Sequence, residues 1–168
     1  PKSLLRNKDA TSSIDELAKG TFQTVIGEVD ELDPKQVTRI VTCAGKVYYD
    51  LLAARRERKI ANVVILRIEQ LYPMDDRRLA EEMDKYPNAR EIVWCQEEPR
   101  NQGAWYQVRH RLQDSLQGNQ ELLYSGRRPA ARGGSRSTPA AVTADSLPRA
   151  KPCASVHGRS SSFPCLAP

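Results

Sequence analysis

Apolar and polar positions fall into a repeating rhythm between Val37 and Tyr124. Val37 to Cys43 (VTRIVTC) is rich in β-branched residues and runs into Ala44-Gly45, which predicts a strand and its stop. From Lys46 to Lys59, Val47, Tyr48, Leu51 and Leu52 recur at helical spacing. Arg55, Arg56, Arg58 and Lys59 gather where a helix C-terminus favours cations. Val63 to Ile68 (VVILRI) is a nearly unbroken apolar run, the pattern of a strand covered on both faces. After Pro73, a helix is predicted from Asp75 to Tyr86, with Asp75 and Asp76 in its first turn and Leu79 and Met83 four apart. Glu91 to Cys95 (EIVWC) reads as a third strand. Ala104 to Gln117 reads as a third helix, with Trp105, Val108, Leu112 and Leu116 on one side, and Glu121 to Tyr124 as a short fourth strand. Strand and helix alternate at about 30 residues per unit, the length of a βαβ motif. The predicted fold is a three-layer α/β/α unit on a mainly parallel sheet with right-handed crossovers.

The segment before this rhythm is different. Ser13-Ile-Asp-Glu16 is a capping box, so a short helix is expected to run to Lys19 and stop at Gly20. Asp33-Pro34 marks a turn. Residues 1–35 read as a lead-in from an upstream domain, and 36–126 as the α/β domain. The start, without an initiator Met or an apolar signal region, reads as cut from a longer chain.

Charge changes the picture only at the far end. The chain has 168 residues and a net charge of +5. Residues 127–168 carry six Arg and one Lys against the single acid Asp145, so the basic excess belongs to that tail and residues 1–126 are nearly neutral. A nucleic-acid-binding surface is therefore not indicated for the domain. The tail is also rich in Ala, Ser and Pro with no apolar period, a composition expected to stay disordered. No apolar run reaches the roughly 18 residues that a membrane span needs. Cys43, Cys95, Cys153 and Cys165 form no Cys-x-x-Cys pair, against zinc and against a disulfide framework.

In an open α/β sheet, ligands gather at the carboxyl ends of the strands. Those ends here offer Gly45 and Lys46, then Glu69 and Gln70, then Gln96, Glu97 and Glu98. Three carboxylates at one sheet edge suit metal binding or acid/base work, but no histidine or activated nucleophile accompanies them. The reading preferred here is hydrogen bonding to loops or to a neighbouring domain. Ala44-Gly-Lys-Val47 lacks the upstream Gly and the following Ser/Thr of a phosphate loop. Cys43 and Cys95 end apolar strands as small buried side chains, and His110 lies within a helix. Arg77 and Arg78 fit either a solvated face or a grip on phosphate, with Gln70 at the neighbouring strand end.

Five ordered motifs carry more: Pro1-Lys-Ser-Leu-Leu-Arg6, Gly45-Lys-Val-Tyr-Tyr-Asp50, Arg67-Ile-Glu-Gln-Leu-Tyr-Pro73, Trp94-Cys-Gln-Glu-Glu-Pro99 and Asn101-Gln-Gly-Ala-Trp-Tyr106. Together they resemble the C-terminal end of the 2-oxoglutarate dehydrogenase decarboxylating component, with 2-oxoadipate dehydrogenases as the alternative. The resemblance implies a transketolase-type C-terminal domain of a bacterial cytoplasmic enzyme of the citric acid cycle. It implies thiamine diphosphate and Mg²⁺ bound by upstream domains, and no catalytic, cofactor or metal residue in this chain. The implied partners are a second copy in a homodimer and the dihydrolipoyl succinyltransferase core. An acetyl-CoA or nucleotide effector site implied by some bacterial members falls on Thr24, Gln70, Arg77 and Arg78, while Thr21 departs from the Lys of that pattern. The resemblance runs from residue 1 to about 127, where a reading-frame shift near Arg127–Arg128 is the expected origin of the unlike tail.

Overall fold

The computed structural model describes residues 4–131 and Leu147. Four helices and five strands follow in the order α1 (Ile14–Lys19), β1 (Val25–Ile26), β2 (Arg39–Cys43), α2 (Val47–Glu57), β3 (Val63–Ile68), α3 (Asp76–Met83), β4 (Glu91–Pro99), α4 (Trp105–Asp114) and β5 (Glu121–Arg127). They form one sheet in the order β1-β3-β2-β4-β5. β2, β3, β4 and β5 are parallel, and β1 is antiparallel to β3 at one edge.

Alternation along the strands sends successive side chains to opposite faces. Ile40, Val64, Leu66, Ile92 and Trp94 pack with Leu79 and Met83 of α3 and with Trp105, Val108 and Leu112 of α4. Val41, Cys43, Val63, Ile65, Val93 and Cys95 pack with Val47, Tyr48, Leu51 and Leu52 of α2. The α/β/α layering expected from the sequence is thus observed, with α3 and α4 on one face and α2 on the other. The apolar run of β3 lies between two helical layers, as its composition requires.

Several boundaries differ. β1 was not anticipated, and it brings Val25 and Ile26 of the lead-in segment into the sheet. Two residues of Val-Ile with little alternation give no strand signal of their own; pairing with Ile68 and Arg67 creates it. β4 continues past Cys95 through an irregularity to Pro99, and β5 reaches Arg127. Beyond β5, Ala130 exchanges hydrogen bonds with the side chain of Asn101. Leu147 is fully buried against the α2 layer. The rest of the expected tail, residues 132–146 and 148–168, lies outside the described residues.

The capping box of α1 forms as read: Ser13 Oγ accepts from the Glu16 N–H, and Glu16 accepts from the Ser13 N–H. α2 ends at Arg58 in a Schellman arrangement. Lys59 N–H donates to the Arg56 carbonyl and Ile60 N–H to the Arg55 carbonyl. That closure puts Lys59 in the left-handed region, at φ 52°.

Candidate functional site

β2 and β4 are neighbours whose chains leave toward opposite faces, into α2 and α4 respectively. Their carboxyl ends therefore open the crevice where doubly wound sheets place ligands. Here it is closed by charge pairing. Lys46 Nζ lies 2.6 Å from Asp50 and 3.7 Å from Glu97, and this pairing raises the lysine's pKa. Gln96 beside it is buried and spends its amide internally. Its Oε1 accepts from Trp94 Nε1 at 2.8 Å and from the Trp105 N–H at 3.1 Å, while Nε2 donates to the Pro99 carbonyl at 3.2 Å. Ala104 offers no side-chain cap to α4, so Gln96 caps its first N–H from the neighbouring strand. Gly103 leaves room for it, since a Cβ there would collide with the Gln96 amide.

At the end of β3, Arg67 pairs with Glu69 at 2.6 Å, donates to the Tyr49 hydroxyl at 2.8 Å and lies 4.8 Å over the Tyr48 ring. Two of the three carboxylates read as a possible cluster are thus held by separate cations, and Glu98 is exposed. Cys43 and Cys95 are buried register partners on β2 and β4, and burial pushes the Cys43 thiol well above its ordinary pKa. His110 is exposed, and His157, Cys153 and Cys165 lie outside the described residues.

Thr24 and Gln70 meet where β1 reaches the end of β3, and Thr24 is linked through Asp75 to Arg78 at the start of α3. The Thr24 carbonyl accepts from the Glu69 and Gln70 N–H groups, and its hydroxyl donates to Asp75 at 2.7 Å. Asp75 in turn accepts from the Arg78 N–H at 3.0 Å, and these bonds, the Arg78 amide's first, hold its carboxyl below its ordinary pKa. Asp75 thereby caps the N-terminus of α3. Gln70 Nε2 donates to the Pro73 carbonyl at 2.7 Å.

The Arg pair is also engaged. Arg77, 89% exposed, pairs with Glu81 at 2.9 Å. Arg78 reaches Glu82 at 2.7 Å and Glu81 at 3.5 Å. Glu82 is only 2% exposed and takes its second cation from Lys85 at 2.6 Å. Arg78 therefore supports a buried carboxylate. A spacing of four between Arg78 and Glu82 was visible in the sequence; the burial of Glu82 was not, because nothing in a polar helix face tells which acid turns inward.

A third constellation escaped the sequence altogether. Arg55, read as a C-terminal surface cation, is 1% exposed. Its guanidinium donates to both Glu28 oxygens, to Asp30 at 2.6 Å and to the Val63 carbonyl at 3.1 Å. Glu28 also accepts from the Ile65 N–H at 2.9 Å. Where β1 runs out, this ion pair satisfies the open edge of β3 in its place.

Among the described residues, no three His, Cys, Asp or Glu side chains are grouped as metal ligands. The donor set does not fit a Mg²⁺–diphosphate site, and no catalytic step is assigned to it. No helix among them is long and apolar enough to cross a membrane.

These features define a doubly wound α/β domain whose strand ends are internally paired. The family model described as 2-oxoglutarate dehydrogenase C-terminal matches residues 11–142, and the chain belongs to that family. The 2-oxoglutarate dehydrogenase E1 component of Cupriavidus necator is 52% identical over 131 residues, covering 78% of this chain. That of Coxiella burnetii is 53% identical over 129 residues, covering 76%. The chain spans 14% of the length of each. A solved split-gene transketolase, an inactive β4 tetramer, aligns at TM-score 0.45 and 17% identity, covering 65% of this chain and 34% of its own.

Proposed function

We propose that this domain is the C-terminal structural and dimer-forming part of a 2-oxoglutarate dehydrogenase. That thiamine-diphosphate and Mg²⁺ enzyme decarboxylates 2-oxoglutarate and passes succinyl to the lipoyl groups of a succinyltransferase core, in the bacterial cytoplasm. The observation that carries this reading is the pairing of Lys46 with Glu97 and Arg67 with Glu69, which leaves the strand ends as scaffold. The relatives' names favour 2-oxoglutarate over 2-oxoadipate as the parent substrate. Given thiamine diphosphate, Mg²⁺ and 2-oxoglutarate, the purified chain is expected to release no CO₂; cofactor-dependent turnover would overturn the structural role.

A second role is proposed for the junction of β1, β3 and α3. Thr24, Gln70, Arg77 and Arg78 form an effector site for a phosphate-bearing ligand such as acetyl-CoA or a nucleotide. Its support is the direct link of Thr24 to Asp75 and of Asp75 to Arg78, which joins Thr24 to the first turn of α3. Guanidinium groups are suited to phosphate by charge and geometry. Titration of AMP into the chain and into its Arg77→Ala/Arg78→Ala variant tests the site, and equal heats in both would remove it.

A further inference from the structure

Both guanidinium groups of this proposed site already hold anions, and those anions are the chain's own. Arg77 is bound to Glu81 at the surface, where exchange with a ligand is easy. Arg78 is bound to Glu82, which is almost fully buried. Glu82 also lies against the end of β1: a Cβ on Gly27 would collide with its Oε2. Its two oxygens are divided between two cations, Oε1 to Arg78 and Oε2 to Lys85. A buried carboxylate deprived of one of two cations is strongly disfavoured.

We propose that Glu82 is an internal competitor for the effector: Arg78 exchanges between Glu82 and an incoming phosphate, and the cost of that exchange falls on the end of β1. The inference rests on the reading of Arg77 and Arg78 as an anion site. The competent state, with Arg78 turned outward, is a minor one, and apparent affinity falls by its fraction. Removing the negative charge of Glu82 leaves Arg78 only its longer contact with half-exposed Glu81 and raises affinity. Removing Lys85 does the opposite, because Glu82 then depends on Arg78 alone. The bound state leaves Glu82 with Lys85 only, next to Gly27, and so biases the edge strand that joins the lead-in segment to the sheet.

Calorimetric titration of AMP into the 168-residue chain tests this, with adenosine as the arm that lacks phosphate. Glu82→Gln is expected to bind AMP at least about tenfold more tightly than the unmodified chain, equivalent to 1.4 kcal/mol, with adenosine unaffected. Lys85→Gln removes a half-exposed side chain and is expected to weaken AMP binding several-fold; circular dichroism establishes that each variant is folded before it is titrated. AMP bound with one affinity by all three proteins would overturn the exchange and leave the anion site standing. No AMP binding by any of them would overturn the site itself, and the exchange with it.

Discussion

Replacing Arg55 with Ala is expected to destabilise the domain more than any other single change to a charged residue. The guanidinium serves two functions at once. It neutralises Glu28, whose side chain is 4% exposed, and it satisfies the Val63 carbonyl on the open edge of β3. Breaking a buried pair by removing one partner costs about 3–5 kcal/mol. The low end applies, because Glu28 keeps three backbone donors, the N–H groups of Val29, Asp30 and Ile65. A loss of about 3 kcal/mol corresponds to a fall in Tm of roughly 12 °C for a domain of this size. Urea unfolding followed by circular dichroism reads it, with Arg56→Ala as the control. Arg56 pairs with Asp30 and is half exposed, so its loss is expected to cost under about 1 kcal/mol. Glu28→Gln combined with Arg55→Met keeps an acceptor for Ile65 and removes both charges. Such replacements are often close to neutral, so it is expected to recover most of the loss. Equal, small losses for Arg55→Ala and Arg56→Ala would refute the view that the pair completes the sheet edge.

Gly103→Ala is expected to displace Gln96 and uncap α4, losing about 1–2 kcal/mol in thermal unfolding while distant Gly118→Ala does not disturb α4. Asp30 is held at a pKa of about 2, chiefly by its hydrogen bond to Arg56 and also by Arg55. A folded pKa depressed below the unfolded value gives stability that is present above pH 4 and lost as pH falls toward 2. Screened by solvent, it is on the order of 1 kcal/mol, and acid titration of stability in Asp30→Asn should lack it. Lys59→Gly relieves a left-handed backbone and is expected to raise stability by about 1 kcal/mol in urea unfolding.

The core of the fold was legible because periodicity reports burial directly. Val63–Ile68 and the helix positions Val47, Tyr48, Leu51 and Leu52 are where an apolar pattern alone puts them. What stayed hidden depended on partners distant in sequence. Glu28 and Arg55 lie 27 residues apart, and each alone reads as a surface charge. Gln96 reads as one more polar residue at a strand end until Trp94, Pro99 and Trp105 surround it. β1 is visible only as the partner of β3. At the proposed effector site, the sequence placed Gln70 beside Arg77 and Arg78 through the β3–α3 connection. The anions on those arginines followed from helix spacing, but the inward turn of Glu82 did not.

The central claim is that this domain completes a 2-oxoglutarate dehydrogenase without contributing to its chemistry. It is tested most directly by exchange. The matching C-terminal segment of the Cupriavidus necator E1 component is replaced by this chain, and 2-oxoglutarate decarboxylation is assayed beside the same enzyme lacking that segment. The chimera is expected to decarboxylate at a rate within a few-fold of the parent and to elute as a dimer, while the truncated enzyme is inactive. A folded chimera as inactive as the truncation, or a truncated enzyme as active as the parent, would contradict it.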